Sequence, residues 1–125
     1  MGMESYKLGI EGEIFAEEYL LAHGYQIVEK NFRCQQGEID VVARQTEFLV
    51  FVEVKNYSFH SLRSPLSAIV KNKRENIIHA ARVYLYKNRI KKTNCRFDIL
   101  TIYRRPDGSR AVELLQNAFQ ATRPY

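Results

Sequence analysis

Residues 48–55 read Phe-Leu-Val-Phe-Val-Glu-Val-Lys, and no other stretch constrains the fold as tightly. On a strand, side chains alternate across the sheet, so Phe48, Val50, Val52 and Val54 share one face. Leu49, Phe51, Glu53 and Lys55 share the other. Both faces are apolar as far as Val52, as in a strand whose sheet is covered on both sides. The pattern predicts a central strand between helical layers, with its two charges at the C-terminal end, where an open sheet meets solvent. Charges on so apolar a strand are costly unless they are paired, solvated at an edge or bound to a metal.

The flanking sequence supplies the layers. Residues 5–23 predict a helix ended by Gly24, with Leu8, Gly12, Phe15 and Tyr19 as its buried face. Glu13 lies at the rim of that face, and its small neighbours Gly9 and Ala16 leave room for the carboxylate to reach past them. Glu17 and Glu18 read as plain solvent residues. A strand is expected over 25–32, then a polar link over 33–37, then a hairpin of 38–44 and 48–55 around Arg44-Gln45-Thr46-Glu47. A polar loop over 56–64 leads to Ser64-Pro65, a capping hydroxyl followed by a proline suited to the first helical position. The helix it starts runs to about Lys87, with Leu66, Ile69, Val70, Ile77, Ala80, Ala81 and Tyr84 on one stripe. Lys73 falls inside that stripe; it either points inward or lays its stem along the stripe with its ammonium in water. A strand over 96–103, a turn at Arg105-Pro106-Asp107-Gly108 and a short strand over 111–115 complete the chain. The result is an α/β protein, a mixed central sheet flanked by helices, read as one domain over residues 1–125 without repeat or linker.

Composition excludes several classes. No apolar run approaches the roughly 20 residues of a membrane helix, and the N-terminus has no apolar signal core, so a cytoplasmic protein is expected. Cys34 and Cys95 lack a CxxC partner and read as reduced thiols, with a disulfide the lesser alternative. His23, His60 and His79 are scattered, which argues against zinc. The net charge of +5 is unevenly spread. Residues 1–53 carry ten acidic and four basic side chains, whereas residues 71–96 carry nine basic ones and only Glu75 as an acid. That asymmetry suits a polyanion-facing surface beside an acidic site, and equally a solvated basic helix. Arg33, Lys71, Lys73, Arg74, Lys91 and Lys92 are the candidate contacts to nucleic acid, with Lys87 and Arg89 beside them.

The hairpin brings Asp40 nearly opposite Glu53, to within about a residue of register. Opposed side chains have Cβ atoms about 4.5–5.5 Å apart, so the two carboxylates repel unless a cation relieves them. A hard divalent ion suits such a pair, since Mg²⁺ uses one or two carboxylates together with substrate phosphate. Lys55, on the face of Glu53, could orient or deprotonate a water, or neutralise charge developing on phosphate oxygens. The plainer alternative is a strand-end ion pair of Lys55 with Glu53 or Asp40, worth roughly 0–1 kcal/mol. An E-x-K alone favours the ion pair. The aspartate across the hairpin, the apolar strand and Lys73 bring the two readings level.

The spaced motifs GxxGE (Gly9 to Glu13), NxR (Asn31 to Arg33), GEID (Gly37 to Asp40), FVEVK (Phe51 to Lys55), RFD (Arg96 to Asp98) and NAF (Asn117 to Phe119) resemble the YraN family. That family is similar to archaeal Holliday-junction resolvases within the PD-(D/E)xK nuclease superfamily, and the resemblance covers nearly the whole chain. It implies a restriction-endonuclease-like αβββαβ core and a metal-dependent DNA endonuclease, acting on branched or damaged DNA. By the same resemblance Asp40 and Glu53 are ligands of Mg²⁺ or Mn²⁺, Lys55 is the catalytic lysine, Glu13 is an additional acidic residue expected to converge with them as a ligand of the same ion, and Lys73 matches a lysine of the second helix. Glu38 reads as structural. DNA is then the partner, no membrane is involved, and a homodimer is admitted. Asn56 departs from the small hydroxyl residue common after the lysine, which leaves any hydroxyl contact to substrate open. The alternative in another class is a silent nucleic-acid- or partner-binding module of the same fold.

Overall fold

The computed structural model describes residues 2–58 and 71–121, and the side chains of residues 9–57 and 73–121. Helix α1 (Gly2–Ala22) ends where Gly24 adopts φ 85° and the Tyr25 amide donates to the Leu20 carbonyl at 3.0 Å. This positive-φ cap is open to glycine at no steric cost, and it turns the chain straight into the sheet. The face of α1 against the sheet is Gly12, Ala16 and Leu20, with Phe15 and Tyr19 packed at its margin. The expected stripe is thus rotated, because small residues let the helix sit close; the side chain of Leu8 lies outside the described residues.

Five strands follow in sheet order β1 (Gln26–Cys34), β2 (Gly37–Gln45), β3 (Phe48–Ser58), β4 (Asn94–Arg104) and β5 (Arg110–Phe119). Strand β3 is the central one, parallel to β4, while every other pairing is antiparallel. Helix α2 (Lys71–Lys87) belongs to the connection that makes the parallel pair possible. The expected start of this helix at Ser64-Pro65, the stripe residues Leu66, Ile69 and Val70, and positions 59–64 of the expected loop lie outside the described residues. Two cores form on the two faces of β3. Leu49 and Phe51 pack with Ile77, Ala80, Ala81 and Tyr84 of α2, and Val50 and Val52 pack with Ala16 and Leu20 of α1.

Strands β3 and β5 outrun their sequence patterns furthest, while β1 and β4 exceed theirs by one or two residues at an end. Strand β3 continues to Ser58, paired with β4 through Ser58 and Arg104, where a loop was expected from residue 56. Strand β5 reaches Phe119 instead of residue 115, and the cause is a buried polar network that the local pattern does not announce. Asp98, fully buried on β4, accepts from the Tyr25 hydroxyl at 2.6 Å, from Arg96 Nε and Nη2 at 2.9 Å each, and from the Asn117 amide at 2.9 Å. Asn117 stands at φ 52° there, and Gln116 also bonds Tyr25 at 3.0 Å. Burial, reinforced by Asp98, pushes the Tyr25 hydroxyl up to about 12. These bonds fasten the end of β5 and the start of β1 onto β4, which gives RFD and NAF a structural duty. A buried carboxylate with this many donors is fully compensated.

One irregularity decides where the acidic residues go. Val41 and Ala43 of β2 belong to the core under α1, yet Ile39 joins Val42 in the core under α2. Strict alternation would put Ile39 with Val41, so the side-chain sense reverses across Asp40. Strand β1 shows the same reversal, since Lys30 borders a cavity beside α1 while Phe32 packs under α2. Between them Asn31, opposite Asp40 in register, takes φ 55°, a left-handed conformation asparagine tolerates better than most residues. At this point β2 also parts from β3: the last ladder pair is Val41 with Val52, while β3 runs on beside β4.

Candidate active site

Asp40 sits where the hairpin opens. Its Oδ2 accepts the amide of Val54 at 2.8 Å, so the carboxylate replaces the strand partner that β2 no longer supplies. The bond holds the acid beside Glu53, the residue before Val54. Burial and then the negative charge of Glu53 push the Asp40 carboxyl from 3.8 up to about 7, with Glu38 adding to the rise while the Val54 bond and Lys73 oppose it. The proximity anticipated for this pair is therefore present, and it arises at the parting of the strands and not within a continuous ladder.

Glu53 lies on the α2 face, 5% exposed, and two lysines close on one of its oxygens. Lys55 Nζ is 3.3 Å from Oε1, and Lys73 Nζ reaches the same atom at 3.4 Å from α2. Burial pulls the Lys73 ammonium down, but the charge of Glu53, a hydrogen bond donated to that carboxylate and the charge of Asp40 outweigh that and raise it. Roughly half of the Lys73 side chain stays exposed, so its stem lies along the helix surface while its head enters the cluster. The inward and snorkelling readings of Lys73 are both realised in one side chain. Next to Lys55 in register on β4, Thr101 is fully buried and its hydroxyl has no hydrogen-bond partner among the described residues. No sequence signal singled it out, because a threonine on a strand is ordinary.

Glu13 is exposed and lines a cavity between α1 and the parted strands, together with Gly9, Lys30, Asp40, Val54 and Asn56. The absence of a side chain at Gly12 lets Asn56 into this corner, since a Cβ there would collide with Asn56 Nδ2. The position after Lys55 thus faces the same cavity as Asp40. The expected convergence of Glu13, Asp40 and Glu53 on one point is not formed: among the described residues no three His, Cys, Asp or Glu side chains are grouped to hold an ion. Asp40 instead joins two compartments, with Glu13 on the α1 side and Glu53 on the α2 side. Two carboxylates with lysines suit a hard ion that keeps waters of its own, and no described cluster suits zinc.

The candidate nucleic-acid contacts are divided. Arg33, paired with Glu38 at 3.3 Å, shares a groove with Lys73, Gly37 and Asn76 at the pole of Glu53. Gly37 lets β2 approach α2 closely, since a Cβ there would lie 3.0 Å from the Asn76 carbonyl oxygen. Arg74 is exposed on the adjoining turn of α2; the Lys71 side chain lies outside the described residues. Lys91 and Lys92 belong to the other pole, since Asn94 after them pairs with Phe48, the first residue of β3. From Phe48 to Lys55 the strand rises by roughly 23 Å at about 3.3 Å per residue. One continuous basic segment of sequence is therefore two surfaces.

A mixed five-stranded sheet with two helices, αβββαββ in order and so containing an αβββαβ core, acidic at the C-terminal end of its central strand, has the restriction-endonuclease-like architecture. The chain belongs to the uncharacterised protein family UPF0102, the YraN family, whose model matches residues 12–102. It is 42% identical over 98 residues to a UPF0102 protein of Hahella chejuensis, covering 78% of this chain and 79% of that one. It is 37% identical over 117 residues to a UPF0102 protein of Syntrophus aciditrophicus, covering 94% and 91%. A relative from Lachnoclostridium phytofermentans is 40% identical over 114 residues, covering 90% and 92%. None of these names states an activity. Among the described residues no helix is long and apolar enough to cross a membrane.

Proposed function

We propose that the chain is a metal-dependent endonuclease that hydrolyses phosphodiester bonds in DNA. One observation carries this reading: a buried glutamate bracketed by two lysines lies beside an aspartate whose carboxyl is pushed up to about 7. A carboxyl perturbed by burial and a neighbouring charge at the mouth of a sheet marks a candidate functional site. Asp40 and Glu53 would hold Mg²⁺ or Mn²⁺, which supplies Lewis acidity and charge neutralisation at phosphate when bound. Lys55 places a positive charge, and an exchangeable proton on Nζ, at the same oxygen. Lys73, half exposed, can follow a phosphate without leaving the helix surface. Glu13 and Asn56 line the neighbouring cavity, where they can order water or a substrate hydroxyl.

A second reading, a nucleic-acid-binding module without turnover, is favoured by the two-carboxylate count and by the grip of both lysines on Glu53. Incubation with linear, flapped, gapped and four-way DNAs, with Mg²⁺ or Mn²⁺ and with chelator, separates the two. Cleavage that needs the ion and is lost in Glu53→Gln supports the nuclease. Binding without cleavage on every substrate leaves the module.

A further inference from the structure

The pole opposite Glu53 carries its own surface. A groove after the end of α2 is lined by Arg82, Leu85, Tyr86, Ile90, Lys91 and Lys92, with no acidic residue among its walls. Tyr86 is 86% exposed, the most exposed large side chain of its kind among the described residues. Arg82 lies four residues earlier, on the same face of the helix. Among the described residues no carboxylate is ion-paired with Arg82, Arg89, Lys91 or Lys92. The helix dipole favours a cation in the last turn and accounts for Lys87, but it fades beyond that turn and does not explain Lys91 and Lys92. Arg89 and Lys92 also stand at φ 54°, positions where glycine would be free of strain and where this chain carries basic side chains instead.

An exposed aromatic ring among cations that have no carboxylate partner among the described residues fits one ligand chemistry, a base with its flanking phosphates. We propose that this groove is a nucleic-acid-binding surface separate from the Glu53 cluster. It takes an unpaired strand, with a base stacked on Tyr86 and backbone phosphates at Arg82, Lys91 and Lys92. The separation of roughly 23 Å along the strand direction corresponds to about seven steps of duplex at 3.4 Å each. A substrate with a single-stranded arm next to duplex can therefore reach both poles. The inference rests on the nucleic-acid reading of the protein and not on hydrolysis.

The test is equilibrium binding by fluorescence anisotropy, in chelator so that nothing is cut, of a short oligo(dT) and a blunt duplex. Tyr86→Ala, which removes an exposed ring and leaves the core intact, should weaken oligo(dT) binding on the order of tenfold while changing duplex binding little. Lys91→Glu combined with Lys92→Glu should lower the oligo(dT) salt slope by about 1.4. Equal oligo(dT) affinity of parent and Tyr86→Ala overturns the inference while the parent still binds duplex. A parent that binds neither ligand overturns the nucleic-acid reading with it. Binding to phosphatidylglycerol vesicles that Tyr86→Ala abolishes, with oligo(dT) binding unchanged, assigns the groove to lipid and also overturns the inference.

Discussion

Replacing Asp40 by Asn should make the metal-free protein more stable, and by an amount that depends on pH. In the folded chain burial and Glu53 hold the Asp40 carboxyl at about 7 against an ordinary 3.8, so the native state keeps its proton more tightly than the unfolded one. Folding then takes up a proton between these two values. The stability present at low pH is lost progressively as pH rises from 3.8 to about 7, and above that the full cost remains. At about 1.36 kcal/mol for each pH unit, the limit is about 4 kcal/mol at pH 8 and about 1.5 kcal/mol at pH 5. Relaxation at the open strand ends lowers these figures, so a gain of about 2–4 kcal/mol is expected for Asp40→Asn at pH 8. The asparagine oxygen can still accept the Val54 amide, which keeps the hairpin end in place. For a chain of this size each kcal/mol moves Tm by about 4 °C, giving a rise of roughly 8–15 °C at pH 8 and less than half of that at pH 5. Thermal unfolding followed by circular dichroism in chelator measures both. A variant no more stable than the parent at pH 8, or equally stabilised at both pH values, refutes the burial of Asp40 beside Glu53 as the source of the strain.

Added Mg²⁺ or Mn²⁺ should raise the Tm of the parent at pH 8, and raise it less at pH 6, where an ion must displace the Asp40 proton. Asp40→Asn and Glu53→Gln should lose that response, and a parent indifferent to both ions removes the metal from the reading. Lys55→Ala should reduce cleavage by roughly 10²–10⁴-fold in single-turnover assays while DNA affinity changes little. Substantial cleavage by Lys55→Arg would assign charge stabilisation to this residue, and parental rates in both variants would make it a strand-end partner of Glu53. Asp98→Ala should cost about 3–5 kcal/mol in urea unfolding, because it removes the buried carboxylate that compensates the Arg96 guanidinium and accepts from the Tyr25 hydroxyl and the Asn117 amide. A loss under 1 kcal/mol would show that the network is not what fastens β5.

The sequence by itself determined the layers and the central strand. Period-two alternation over residues 48–55 and a helical period on either side are local signals, and each survives into the structure because it says which face must leave water. It also determined that Asp40 and Glu53 come to the same open end of the hairpin, since a turn fixes register over the residues that follow it, although the ladder itself stops at Val41 and Val52. Tertiary structure decided the rest. The reversal of side-chain sense at Asn31 and Asp40 depends on two strands bending together, and no single strand's pattern contains it. Asp98 sits in an RFD stretch that reads as an ordinary polar position; only the return of β5 and the start of β1 bury it among donors. The basic residues of 71–96 are contiguous in sequence, yet α2 alone spans about 25 Å at 1.5 Å per residue and carries its two ends to opposite poles. Lys73 therefore reaches Glu53 while Lys91 and Lys92 border a different groove. Charge is a property of the residue, but which charges act together is set by how far the folded elements between them extend.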